Sequence, residues 1–175
     1  MRLLRKDQKG FTLVELLIVV PIMAIVSVAA IAVIIHVVQS TYTTAHMVVI
    51  RQVQTAGDLV SHDGIQAQVI EVPAEPESRG FPFIFRWTDW DDSEAHEVIY
   101  SLSGGDIEQL QRQEIIRDKD GTQISDITIL VAEFIDSANT SCSPIDEGVL
   151  TFTVAAEFEG RTETRTYEVT PRALA

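Results

Sequence analysis

The stretch "KGFTLVELLIVVPIMAIV", Lys9 to Val26, decides how the rest of the chain is read. It is apolar almost throughout, yet one carboxylate, Glu15, stands where the apolar run begins. From Leu16 to Ile35 there are 20 residues without a charge. A hydrocarbon core about 30 Å thick takes roughly 20 helical residues to cross, so this run is long enough to span. Thirteen of the 20 are Leu, Ile or Val. At about −0.4 kcal/mol each they favour insertion by roughly 5 kcal/mol, against about 3 kcal/mol for a glutamate at the centre and less for one near the end. Insertion therefore tolerates Glu15 without explaining it, because ionisable side chains inside membranes usually have a partner and a task.

Charge is divided along the chain. Arg2, Arg5, Lys6 and Lys9 outweigh Asp7, so the first ten residues carry +3 and the remainder carries −16 of the overall −13. A basic head before an apolar span places the N-terminus in the cytoplasm and the acidic part outside. An acidic remainder lacks the basic footprint of a nucleic-acid reader, so no nucleic-acid contact is indicated. A secretory signal has an apolar stretch of about 7–15 residues followed by a small-residue cut site. Here the stretch is longer, and the Ala30-x-Ala32 pattern runs straight into apolar Val33 to Ile35. A retained transmembrane segment fits better. The single cysteine, Cys142, excludes an intrachain disulfide. It reads as an unpaired loop or core thiol, with pairing to another chain left open.

The run Lys9 to Leu17, "KGFTLVELL", resembles the class III signal of type IV pilins and pseudopilins. The parts are a short basic leader ending in Gly10, then Phe11, then Glu15 four residues on, then an unbroken apolar helix. The resemblance implies that a prepilin peptidase/methyltransferase cuts between Gly10 and Phe11 and methylates the new Phe11 amine. It also implies that Glu15 pairs with such an amine on a neighbouring subunit. A carboxylate with a cationic partner is far cheaper to bury than an isolated one. Other pilin or pseudopilin subunits and an inner-membrane assembly platform are the implied partners. The implied location is a single pass of the cytoplasmic (inner) membrane, followed by an extracellular or periplasmic filament.

Beyond His36 the pattern becomes amphipathic. Ala45, Val48, Val49, Gln52, Val53, Ala56, Leu59 and Val60 recur at spacings of three and four, opposite Thr44, Arg51, Gln54, Thr55 and Asp58. An unbroken helix from Phe11 to His62 holds 52 residues, or roughly 78 Å at 1.5 Å per residue. Pro21 predicts a kink or local melting. Gly57 costs about 1 kcal/mol in a helix interior and predicts close packing there. His62-Asp63-Gly64 predicts the stop.

From Gln66 the chain reads as β. Strands are predicted at 66–72, 82–87, 96–102, 107–114, 127–135, 149–158 and 161–169. Gly104-Gly105 and Glu159-Gly160 make hairpin turns. The 127–135 run reads as the most buried strand, and the Thr-rich last one as an edge. One long helix followed by antiparallel sheet is an α+β arrangement, and the resemblance implies the pilin lollipop. The organisation is a leader at 1–10, a transmembrane helix at 11–38, an amphipathic helix at 39–63 and a β-rich head at 64–175. The head resembles the larger minor pseudopilins of the J kind in type II secretion, and minor pilins of the W kind, in Arg51–Asp58, Tyr100–Gly105 and Val169–Arg172.

Little chemistry is encoded. Asp89, Asp91 and Asp92 lie close together like a calcium loop, but Glu94 and Tyr100 stand where an EF-hand needs Gly and Glu. Asp118 and Asp120 belong to an Asp-Gly turn. These five are the candidates for calcium, the bland reading being solvated loops, and no cofactor is expected. Asp58 and His62, four apart, read as a surface pair. Trp87 reads as buried with Phe83 and Phe85, and Trp90 as exposed. No nucleophile, base and orienter can be named together, so an enzyme is not expected. The leading expectation is a structural minor pilin or pseudopilin subunit, built through its N-terminal helix into a type IV pilus or type II secretion-like filament or its tip. The alternative is a membrane-anchored binding or sensor protein with an acidic β head.

Overall fold

The computed structural model describes residues 12–73, 78–89, 91, 93–105, 107–146 and 149–171. One helix, α1 (Leu13–Gln66), precedes eight strands: β1 (Val69–Glu71), β2 (Phe83–Thr88), β3 (Ala95–Ser103), β4 (Gln109–Arg117), β5 (Gln123–Glu133), β6 (Ser141–Asp146), β7 (Val149–Phe158) and β8 (Arg161–Val169). The chain divides into an N-terminal unit up to Thr43 and a second unit from Thr44 onward.

In the N-terminal unit every described residue is exposed. Pro21 lies inside α1 and the helix continues on both sides of it. The local melting expected at Pro21 is therefore not found. A proline removes one backbone donor, and a long apolar helix with its other bonds intact tolerates that loss.

In the second unit, sheet one has the order β1-β2-β3-β4-β5 and sheet two the order β6-β7-β8, all antiparallel. An isolated bridge between Ile135 and Ala156 joins them. The helix buries Ala45, Val49, Val53, Ala56, Gly57 and Val60, the face that the three-and-four spacing marks out. Against it pack Phe83, Phe85, Val98 and Tyr100 of sheet one and Phe152 and Val154 of sheet two. Each fully buried large side chain contributes about 1.5–3 kcal/mol of transfer free energy. The aromatic rings are mutually ordered, with Phe83 stacked on Tyr100 at 5.0 Å and edge-on to Phe85 at 5.4 Å.

Gly57 confirms the close approach. A Cβ there would stand 2.0 Å from Cζ of Tyr167 on β8. The helix stops three residues later than expected, at Gln66 and not Asp63. Gly64 is not a cap. It is a second contact point, where a Cβ would meet Val169 at 2.7 Å.

Both predicted hairpins form. Glu159 and Gly160 take positive φ, 48° and 71°, between β7 and β8, as a two-residue hairpin loop requires. Two readings are corrected. The strand expected to be most buried, β5, is mostly exposed, because it ends sheet one and pairs only with β4 among the described residues. An apolar run does not reveal whether a second layer covers it. The strand β6, broken by Pro144 in sequence, was not expected and pairs with β7 across a register shift.

Candidate functional site

The described chain begins one residue after the cleavage bond expected between Gly10 and Phe11, both of which lie outside the described residues. Thr12 and Glu15 therefore open the site. Glu15 Oε2 accepts hydrogen bonds from the Thr12 backbone N–H at 3.0 Å and from the Thr12 hydroxyl at 3.0 Å. The Glu15 N–H in turn donates to Thr12 Oγ1 at 3.3 Å. This is a capping box: Ser/Thr and Glu three apart satisfy two of the amide donors that a helix start leaves free. The Thr-x-x-Glu spacing was visible in the sequence and is the signal that reading for charge alone passed over. The arrangement holds the Glu15 carboxylate at the first turn, where the helix dipole favours a negative charge.

Past that turn, α1 is the one helix among the described residues long and apolar enough to cross a membrane. Three of its hydroxyls are turned back on the helix. Ser27 Oγ donates to the Met23 carbonyl at 2.8 Å, and Thr41 and Thr43 donate to the carbonyls of Val37 and Gln39 at 3.1 and 3.0 Å. Ser27 is the one hydroxyl of the uncharged run Leu16 to Ile35, and its proton is spent inside the helix, as a hydrocarbon environment demands.

The second unit holds a polar cluster that sequence reasoning missed. Asp63, only 3% exposed, accepts from the Tyr100 hydroxyl at 2.6 Å and from Arg112 Nε and Nη2 at 2.7 and 3.3 Å. Arg112 also donates to Glu114 at 2.8 Å, and His96 Nδ1 lies 3.2 Å from Glu114. Burial and the adjacent Asp63 push the Tyr100 phenol up. Burial works against the Arg112 charge, but its bonds to Asp63 and Glu114 prevail and raise it. Burial likewise opposes the Glu114 carboxylate, which Arg112 and His96 nevertheless hold below its usual range. Every polar group here has a partner, which is the condition for burying charge. The cluster ties the end of α1 to β3 and β4 and is a structural clamp. Its partners lie 37 and 49 residues apart in sequence, so no local pattern announces it. The expected Asp58–His62 pair is replaced by His62 lying 3.7 Å from Asp63.

The acidic candidates do not converge. Asp118 Oδ1 accepts from the backbone N–H groups of Asp120 and Thr122 at 2.9 and 2.8 Å, which makes it a turn former. Asp89 closes a turn through its backbone to Ser93 and Glu94. Asp91 and Asp120 are exposed, and Asp92 lies outside the described residues, as does Trp90. Among the described residues no group of three or more His, Cys, Asp or Glu side chains is placed to hold a metal. Trp87 is half-buried and not fully buried, stacked flat on His96 at 5.0 Å. Cys142 is buried, and burial pushes its thiol up to about 12.

Residues 5–31 match the prokaryotic N-terminal methylation motif. No curated protein and no solved structure matches the chain.

Proposed function

We propose, from the type IV pilin-like class III signal that residues 5–31 carry, that this chain is a minor pilin or pseudopilin. The signal implies processing by prepilin peptidase and assembly with other pilin subunits. In this reading Gly10–Phe11 is the scissile bond, the Phe11 amine is methylated, and the head lies outside the cytoplasmic membrane. The processed subunit passes from the bilayer through the assembly platform into a type IV pilus or type II secretion-like filament. The chain is a substrate and a building block and not a catalyst.

The observation that carries the proposal is the pairing of that signal with the geometry behind it: a carboxylate fixed at the first helical turn, followed by an exposed apolar helix. Cutting after Gly10 bares an amine one residue before Thr12. In the bilayer the capping box gives Glu15 hydrogen bonds but no counter-charge. A neighbour's amine supplies one, and the gain on pairing favours docking in one register. Mass spectrometry of the mature N-terminus tests the reading. A chain beginning at methylated Phe11 supports it. A chain retaining Met1 while membrane-bound and functional overturns it in favour of an anchored binding protein.

A further inference from the structure

The buried clamp between α1 and sheet one is one positive charge short of balance. Asp63 and Glu114 are carboxylates and Arg112 is the single cation between them. Their side chains are only 4, 23 and 11% exposed, respectively. A net charge held away from water is costly. One further group that takes a positive charge lies within reach. His96, 14% exposed, has Nδ1 3.2 Å from Glu114 Oε1. Arg112 bonds the other oxygen, Oε2, so the two bases do not contend for one acceptor. The imidazole also lies flat on Trp87, with the ring planes 4° apart and the centroids 5.0 Å apart. A cation over an indole face is favoured.

The surroundings of His96 leave Glu114 as the anion that meets it. From β2 it is faced by uncharged Trp87. Arg86, the neighbour of Trp87, points to the other face of the sheet, where Glu71 and Glu97 hold it. On that same far face Arg117 pairs with Glu97. From β4 His96 is faced by Ile116 directly opposite and by Glu114 two residues along, with Arg112 behind it. Next in the sheet, β5 sets Ser125 and Ile127 opposite Ile116 and Glu114. From α1 come Asp63, which also accepts from the Tyr100 hydroxyl, and exposed His62, 3.7 Å from Asp63. Glu114 and Trp87 draw a proton to His96, and Arg112 opposes it.

We infer that His96 is a proton-operated tie between β2 and the clamp at the end of α1. With the proton on, the chain Trp87–His96–Glu114–Arg112–Asp63 is continuous and its charges balance. An imidazolium lies over the indole, pairs with Glu114, and is linked through Arg112 to the last turn of the helix. With the proton off, Glu114 has Arg112 as its one counter-charge and the stack joins two neutral rings. A neutral Nδ1–H still donates a hydrogen bond, so the tie weakens without breaking. Histidine is the side chain that ordinarily makes this change between about pH 5 and 8. Acid therefore tightens the end of sheet one at which α1 stops, and a rise in pH loosens it. The tie belongs to the head alone and does not rest on the filament reading.

Urea unfolding of the full chain in detergent tests this. A double-mutant cycle of His96→Gln and Glu114→Gln isolates the pair. Its coupling at about pH 5.5 should exceed that at about pH 8 by about tenfold in the unfolding equilibrium constant. Trp87 gives a second reading in a Trp90→Phe background, since these are the two tryptophans of the chain. A protonated imidazole in contact with an indole quenches its emission. Emission should therefore fall on acidification through the same range. His96→Gln should abolish the fall, and His62→Gln should leave it. Should His96→Gln not fold, Glu114→Gln decides, because without that carboxylate the fall should move to lower pH. Equal coupling at the two pH values overturns the inference. So does a fall that survives His96→Gln, that vanishes with His62→Gln, or that keeps its place in Glu114→Gln. Both readings are made on the folded chain whether or not its leader has been removed, so their failure leaves the filament reading standing, and an uncut N-terminus leaves the tie standing.

Discussion

Replacing Gly57 by Ala sets two effects of opposite sign against each other. In an exposed helix interior the change is favourable by about 1 kcal/mol, because alanine loses less backbone entropy. At this position the added methyl carbon would lie 2.0–2.4 Å from three carbons of the Tyr167 ring. Ordinary carbon contacts are about 3.5–4.0 Å, so the ring must retreat by more than about 1 Å. Overpacking of this kind costs typically 1–3 kcal/mol. The displaced ring also loses its hydroxyl bond to the Val53 carbonyl, 3.3 Å long, worth about 1 kcal/mol. The balance is a net loss of about 2 kcal/mol, or a fall of about 4–8 °C in melting temperature for a chain of this size. Near-ultraviolet circular dichroism of the full chain in detergent, followed through heating, reads it. In a Tyr167→Ala background Gly57→Ala should cost less than it does in the parent, since the clash is then gone, and a double-mutant cycle reads that difference. A Gly57→Ala chain as stable as the parent, or more so, would refute the reasoning, because propensity would then outweigh contact.

Further outcomes follow from the same geometry. Asp63→Ala strands the buried Arg112 and Tyr100 groups and should cost about 3–5 kcal/mol, seen as a lower urea midpoint, whereas Asp58→Ala, on the exposed face, should be near neutral. The carboxylates of Glu97, held down chiefly by Arg86, and of Glu114 titrate below the usual 4.5 in the folded chain. A depressed carboxylate adds stability that is complete above its unfolded pKa and is lost as pH falls through its folded one. The urea midpoint should therefore drop from about pH 4.5 downward, and Glu114→Gln should make that drop shallower; an unchanged slope would tell against the assignment. Glu15→Leu should leave membrane insertion intact and reduce recovery of the chain in isolated filaments, and undiminished recovery would remove the pairing role. Thr12→Ala removes half of the capping box at a cost of about 1 kcal/mol to the helix start, readable as faster amide exchange at the first turn.

The helix was legible from the sequence because its two periodicities are written in consecutive residues: twenty uncharged positions, then apolar positions three and four apart. The hairpin at Glu159-Gly160 was legible for the same reason, since turn chemistry is local. The motif around Gly10, Phe11 and Glu15 is likewise a short string, and it carries the functional reading. What the sequence could not determine is which surfaces meet. Ile127, Ile129 and Leu130 look like core in a list of letters, yet they face outward because β5 ends its sheet. Hydrophobicity is a property of a residue, whereas burial is a property of its neighbours. Asp63 looked like part of a helix stop and is instead the anchor of a buried ion cluster, because its partners arrive from strands dozens of residues away. Gly57 could be read as a tight spot but not assigned to Tyr167. Local order follows from backbone sterics and spacing within a few residues. Tertiary contacts depend on how distant segments are brought together, and that is settled only when the chain closes on itself.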